Sequence, residues 1–137
     1  MSIFKVHLQL IFYFFLSIYF NSSFGRDVFI HIGPHKTGTS QLQYNLVRNR
    51  HVLNKFNFEL VSGNHMNACA ISMTLMNDSS NPYCFNQTLY AEQLVRIQQH
   101  NSHLILSHES FDRMEEPAVR QLAQLFVNYN VTIVAFQ

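Results

Sequence analysis

Hydrophobic positions along this chain come in short continuous runs that alternate with longer stretches of helical spacing. Asp27-Val28-Phe29-Ile30-His31-Ile32 is a β-branched and aromatic run suited to a buried strand, and residues 41–50 follow with Leu42, Leu46 and Val47 on one helical face. Phe58-Glu59-Leu60-Val61 predicts a second, short strand ended by Ser62-Gly63-Asn64. Residues 65–76 then read as a helix with Ala68, Ile71, Met73 and Leu75 as its apolar members, and residues 77–87 as a polar loop. A helix over residues 88–100 is predicted with Thr88 as its N-cap and Tyr90, Leu94 and Ile97 as its stripe. His103-Leu104-Ile105-Leu106-Ser107 is a compact buried strand, and His108-Glu109-Ser110-Phe111 lies in the turn after it. Pro117 opens a last helix that buries Ala118, Leu122, Leu125 and Phe126; Asn130 is expected to turn the chain into a final buried strand, Val131-Thr132-Ile133-Val134-Ala135-Phe136. Alternating strands and helices, with several strands continuously apolar, predict an α/β fold built on a parallel sheet covered by helices on both faces. No internal repeat, heptad or low-complexity tract interrupts this order.

The beginning of the chain does not belong to that pattern. Lys5 and His7 precede the apolar run Leu8-Gln9-Leu10-Ile11-Phe12-Tyr13-Phe14-Phe15-Leu16-Ser17-Ile18-Tyr19-Phe20, with small residues Ser23 and Gly25 beyond it. Residues 1–25 are therefore expected to be a signal peptide, or a signal anchor if retained, leaving residues 26–137 as the α/β domain. The expected location is the secretory pathway, in the Golgi lumen or secreted, with membrane association only as an anchored type II protein. Asn21-Ser22-Ser23, Asn77-Asp78-Ser79, Asn86-Gln87-Thr88 and Asn130-Val131-Thr132 are glycosylation sequons, which fits a lumenal glycoprotein. Cys69 and Cys84 are the only cysteines; in an oxidising lumen they can close a loop, but the sequence leaves a disulfide and two buried thiols equally open. With a formal net charge of +1 the chain advertises no polyanion-binding surface, so no nucleic-acid partner is expected.

Candidate chemistry concentrates after the first strand. His31-Ile32-Gly33-Pro34-His35-Lys36-Thr37-Gly38-Thr39-Ser40 is a glycine-punctuated, hydroxyl-rich turn with one lysine, set between a strand and a helix N-terminus. Unpartnered backbone N–H groups and the positive end of the helix dipole stabilise an anion there. A nucleoside-triphosphate loop would need glycine where His35 stands, and a magnesium-binding aspartate that neither residues 103–107 nor residues 131–136 supply. Lys36-Thr37-Gly38-Thr39-Ser40 instead resembles the 5′-phosphosulfate-binding loop of sulfotransferases, and Gln41-Leu42-Gln43 continues in the manner of many members.

That resemblance implies a P-loop-type parallel sheet and sulfate transfer from 3′-phosphoadenosine 5′-phosphosulfate to a hydroxyl or amine of a lumenal acceptor, with carbohydrate the expected class. It implies donor binding by His35, Lys36, Thr37, Gly38, Thr39 and Ser40, with Lys36 neutralising charge on the leaving oxygen. The transferred group is less anionic than a phosphoryl group, so one lysine and backbone amides suffice, and no metal is expected. The eight histidines have no zinc spacing with the cysteines. An acceptor base is expected from the region after the strand at residues 103–107, with His108 placed ahead of Glu109 and His65 a further candidate. The arginine and serine that hold the donor's 3′-phosphate in the family do not occur before Gln137, so the domain is expected to be incomplete at its C-terminus and catalysis weak or absent. A P-loop nucleotide kinase or NTPase, and a non-catalytic secreted glycoprotein, are the alternatives.

Overall fold

The computed structural model describes residues 25–33, 39–62, 67–99 and 101–135. The apolar N-terminal segment, the turn residues Pro34, His35, Lys36, Thr37 and Gly38, the side chain of Thr39, His65 and Phe136 lie outside the described residues. The elements run β1 (Arg26–Ile32), α1 (Thr39–Arg48), α2 (Arg50–Lys55), β2 (Phe58–Leu60), α3 (Cys69–Leu75), α4 (Gln87–Gln99), β3 (His103–Ser107), a 3-10 helix (Glu109–Arg113), α5 (Glu116–Leu125) and β4 (Tyr129–Ala135). The strands form one four-stranded sheet in the order β2-β3-β1-β4, with every neighbouring pair parallel. This is the α/β architecture the hydrophobic runs predict.

Strand alternation sorts the core into two layers. Val28 and Ile30 of β1, in register with Leu104 and Leu106 of β3, face Ile71, Ile97, Phe111, Leu122 and Phe126, so α3, α4, the 3-10 helix and α5 cover one side. Phe29 and Ile105 point the other way and meet Leu46, Leu42, Val47 and Leu53 from α1 and α2. Every residue of β3 is buried, as a strand sandwiched between two helix layers requires.

Several boundaries differ from the sequence reading for local reasons. The first helix breaks at Asn49, whose side chain donates to the Asn45 carbonyl at 2.8 Å, and the chain restarts as α2. Asn86, not Thr88, caps α4: its Oδ1 accepts from the Leu89 backbone N–H at 3.1 Å. Asn57 and Asn77 follow helix ends with φ of 61° and 53°, the left-handed conformation that asparagine tolerates best among non-glycine residues.

The region expected to turn at Asn130 is already strand. Asn130 pairs with Asp27, and its Nδ2 donates to Asp27 Oδ1 at 3.2 Å. Nor is β4 a buried strand: Val131 and Ile133 remain 48% and 54% exposed. It is the outer strand of the sheet, paired with β1 alone among the described residues.

Cys69 and Cys84 form a disulfide with a Cα–Cα separation of 5.3 Å, packed with Ala70, Met73 and Leu89 in a small core of their own. It ties the start of α3 to the loop before α4.

The two-layer core also locates a topological switch point. The chain leaves β1 toward α1 on one face and leaves the adjacent β3 toward the 3-10 helix and α5 on the opposite face. Neighbouring parallel strands with oppositely directed connections make a topological switch point, the place beyond whose carboxyl ends open α/β sheets generally bind ligands.

Candidate functional site at the carboxyl ends of β1 and β3

The backbone at this switch point is closely tied. His31 and Ser107 are register partners in β1 and β3, and His31 Nδ1 lies 2.7 Å from Ser107 Oγ. The His108 N–H donates to the His31 carbonyl at 3.3 Å, and the Ala68 N–H donates to the Ser107 carbonyl at 3.0 Å. The segment after β2 is thereby pinned to the end of β3. Both histidine rings are buried, and Gly33, the residue that leaves β1, is buried beside them.

His108 acts first as a helix cap. Its Nδ1 accepts from the Ser110 backbone N–H at 3.3 Å, which satisfies one of the unpartnered donors that open the 3-10 helix. Ser72 Oγ of α3 lies 3.1 Å from the same nitrogen and 2.6 Å from Ser110 Oγ, while Ser110 Oγ also bonds His108 Nδ1. Because a backbone N–H can only donate, Nδ1 is an acceptor, and the neutral ring carries its proton on Nε2. Nε2 is 3.9 Å from Glu109 Oε1, within electrostatic reach of the carboxylate.

Glu109 is the more accessible of the two, with its side chain 20% exposed against 9% for His108. Its other oxygen, Oε2, accepts from Gln43 Nε2 at 3.1 Å. Gln43 projects from α1, the helix that opens at Thr39, and is itself only 2% exposed. Its Oε1 lies 3.5 Å from Asn67 Nδ2, and Gln93 of α4 continues the chain by donating to the Asn67 carbonyl at 3.2 Å and accepting from the Ile71 N–H at 3.2 Å. Burial pushes the His31 imidazole below its usual range, and the nearby Glu109 carboxylate opposes the shift without cancelling it. His31 therefore stays neutral near pH 7, beside the Glu109 carboxylate.

Of the site residues expected from sequence, His108 and Glu109 stand together at the carboxyl end of β3. Thr39 opens α1, and Ser40 is exposed in its first turn, where no acidic side chain opposes an anion. His35, Lys36, Thr37, Gly38 and the additional candidate His65 are outside the described residues. The sequence reading missed the buried polar groups that hold the edge together: Gln43, Ser72, Gln93, Ser107 and Ser110. One signal pointed to them, since Gln93 interrupts an i, i+4, i+8 series with Leu89 and Ile97 whose three members are all buried.

Cys69, Cys84 and His108 also come together, with one ligand atom from each within 4.8 Å of the others, a grouping their sequence spacing did not reveal. A metal binds thiolate, and the two sulfurs are joined as a disulfide. The cluster is a disulfide packed against an imidazole.

Among the described residues no helix is long and apolar enough to cross a membrane. No family model, curated protein or solved structure matches the chain.

Proposed function

We propose that this chain is a sulfotransferase-like domain of the P-loop type, and that its switch point takes 3′-phosphoadenosine 5′-phosphosulfate. The carrying observation is the Gln43–Glu109 hydrogen bond at 3.1 Å, which ties α1 to Glu109 at the carboxyl end of β3. A donor loop and an acceptor base must adjoin for in-line transfer, because such a reaction is catalysed mainly by positioning and charge neutralisation. The loop sequence Lys36-Thr37-Gly38-Thr39-Ser40 supplies the resemblance, and the helix N-terminus without acidic residues supplies the fitting electrostatics.

In this reading the base is Glu109. His108 Nδ1 is occupied by the Ser110 N–H, so its remaining nitrogen carries a proton and faces Glu109. An acceptor hydroxyl gives its proton to the Glu109 carboxylate as its oxygen bonds to sulfur; the bond from sulfur to the bridging phosphate oxygen breaks, and Lys36 neutralises the adenosine 3′,5′-bisphosphate that leaves. The acceptor is a lumenal hydroxyl or amine compound, with carbohydrate the favoured class, and the compartment is the secretory pathway.

Equilibrium binding of adenosine 3′,5′-bisphosphate to the full chain tests the donor assignment. Saturable, magnesium-independent binding that Lys36→Ala weakens at least tenfold is expected. Magnesium-dependent ATP binding instead would favour a nucleotide kinase or NTPase, and binding of neither nucleotide would leave a non-catalytic glycoprotein.

A further inference from the structure

The chain carries asparagine sequons on three described surfaces, and their surroundings differ in a way the tripeptides do not. Asn77 ends the turn after α3, is exposed, and its side chain makes no hydrogen bond among the described residues; Ser79, which completes its sequon, is exposed too. Asn86 is exposed at the start of α4 and uses only its side-chain oxygen, which accepts from the Leu89 N–H at 3.1 Å. Its amide nitrogen, the atom a glycan would occupy, is not needed for that cap. Asn130 is different. It is exposed like the other two, but its Nδ2 donates to Asp27 Oδ1 at 3.2 Å. The same residue is already paired with Asp27 in the β1–β4 ladder.

We propose that Asn77 and Asn86 are the N-glycosylation sites of the folded domain and that Asn130 stays unmodified, an assignment that rests on the lumenal location proposed above. In the transfer, Nδ2 loses one hydrogen and bonds the anomeric carbon of a lipid-pyrophosphate-linked oligosaccharide. The anomeric carbon–phosphate oxygen bond breaks, the lipid pyrophosphate leaves with the electron pair, and the proton passes to solvent. A glycosylated Asn77 or Asn86 keeps every hydrogen bond described for it. At Asn130 the sugar replaces one of the two hydrogens on the nitrogen that donates to Asp27, so the glycan competes with that hydrogen bond beside the β1–β4 ladder.

The Cys69–Cys84 disulfide brackets the first site and stands two residues before the second, so both glycans belong to the polar segment around this cross-link. This gives the modification a structural address, at the junction of α3 and α4, away from the outer strand β4.

The test is translation of the full chain into sealed microsomes. Protease protection reports translocation, and enzymatic deglycosylation in heavy-oxygen water tags each formerly occupied asparagine for peptide mapping of the disulfide-bonded fraction. Tags at Asn77 and Asn86, none at Asn130, are expected. Ser79→Ala and Thr88→Ala should each remove one tag while leaving the asparagines in place, and Thr132→Ala should change nothing. A protected, disulfide-bonded chain tagged at Asn130, or untagged at either Asn77 or Asn86, overturns the assignment alone. A chain that stays protease-sensitive and untagged overturns the lumenal reading and the assignment with it.

Discussion

Breaking the Cys69–Cys84 bond should cost this small domain a large share of its stability. The two cysteines are 15 positions apart, and closing a loop of that length in the unfolded chain removes conformational entropy equivalent to about 3 kcal/mol at 25 °C. Domains of this size have only about 5–15 kcal/mol in total, so the expected loss corresponds to a fall of about 10–20 °C in the thermal midpoint. Reduction of the wild-type protein isolates this effect because it deletes no atoms. The Cys69→Ala/Cys84→Ala variant adds a packing loss, since both residues are buried against Met73 and Leu89. Urea unfolding of the oxidised, reduced and doubly substituted proteins, followed by far-ultraviolet circular dichroism, measures all three on one scale. The order of stability should be oxidised, then reduced, then double variant. Oxidised and reduced proteins that unfold within about 0.5 kcal/mol of each other would refute the reasoning, as would two titratable thiols in the native protein.

Other perturbations read the candidate site directly. His31 has its pKa lowered in the folded state below its ordinary 6.5, so the unfolded chain binds the proton first and stability must fall as pH drops below about 6.5. Urea midpoints at pH 7.5 and pH 5.5 should differ less for His31→Gln than for wild type, and an unchanged difference would remove His31 from the account. Gln43→Leu withdraws a hydrogen bond to a carboxylate and should cost about 1.5–3 kcal/mol in urea unfolding; a loss under about 0.5 kcal/mol would mean Gln43 does not hold Glu109. Leu106→Ala, at a fully buried position between β1 and the α3–α5 layer, should cost about 2–5 kcal/mol by the same assay. Arg96→Met removes a charged hydrogen bond at 2.5 Å from Glu59 while Arg50 stays close, and should destabilise by about 1.5–3 kcal/mol in urea unfolding; a loss under about 0.5 kcal/mol would refute the pairing.

The central strands and the helix order were legible because hydrophobic periodicity is a local signal. Asp27-Val28-Phe29-Ile30-His31-Ile32 and His103-Leu104-Ile105-Leu106-Ser107 carry it without interruption, and both became core strands. The order β2-β3-β1-β4 was not legible, since strand neighbours are chosen by contacts distant in sequence. The same limit explains β4: Val131 and Ile133 have the composition of a buried strand, but their position at the sheet's edge decides their exposure. At Asn49, Asn86 and Asn130 the error was of another kind. Asparagine can break a helix, cap one or sit in a ladder, and only the neighbouring backbone determines which.

The buried polar residues separate into two kinds, and that separation identifies the edge that needs a function. Glu59 faces Arg96 at 2.5 Å and Asp27 Oδ1 accepts from Asn130 Nδ2 at 3.2 Å, contacts made within the fold. Beyond β1 and β3 the arrangement is open-ended. Gln93 supports Asn67, Asn67 supports Gln43, and Gln43 ends on Glu109, while Ser72 and Ser110 fix the His108 ring beside the same carboxylate. Each buried polar group in such a chain carries a desolvation cost of about 1–3 kcal/mol if left unmatched, so apolar replacements would stabilise the fold more simply. What the network gains is a carboxylate held in one orientation at a partly exposed position, near α1. A carboxylate held in one orientation is what the proposed base requires.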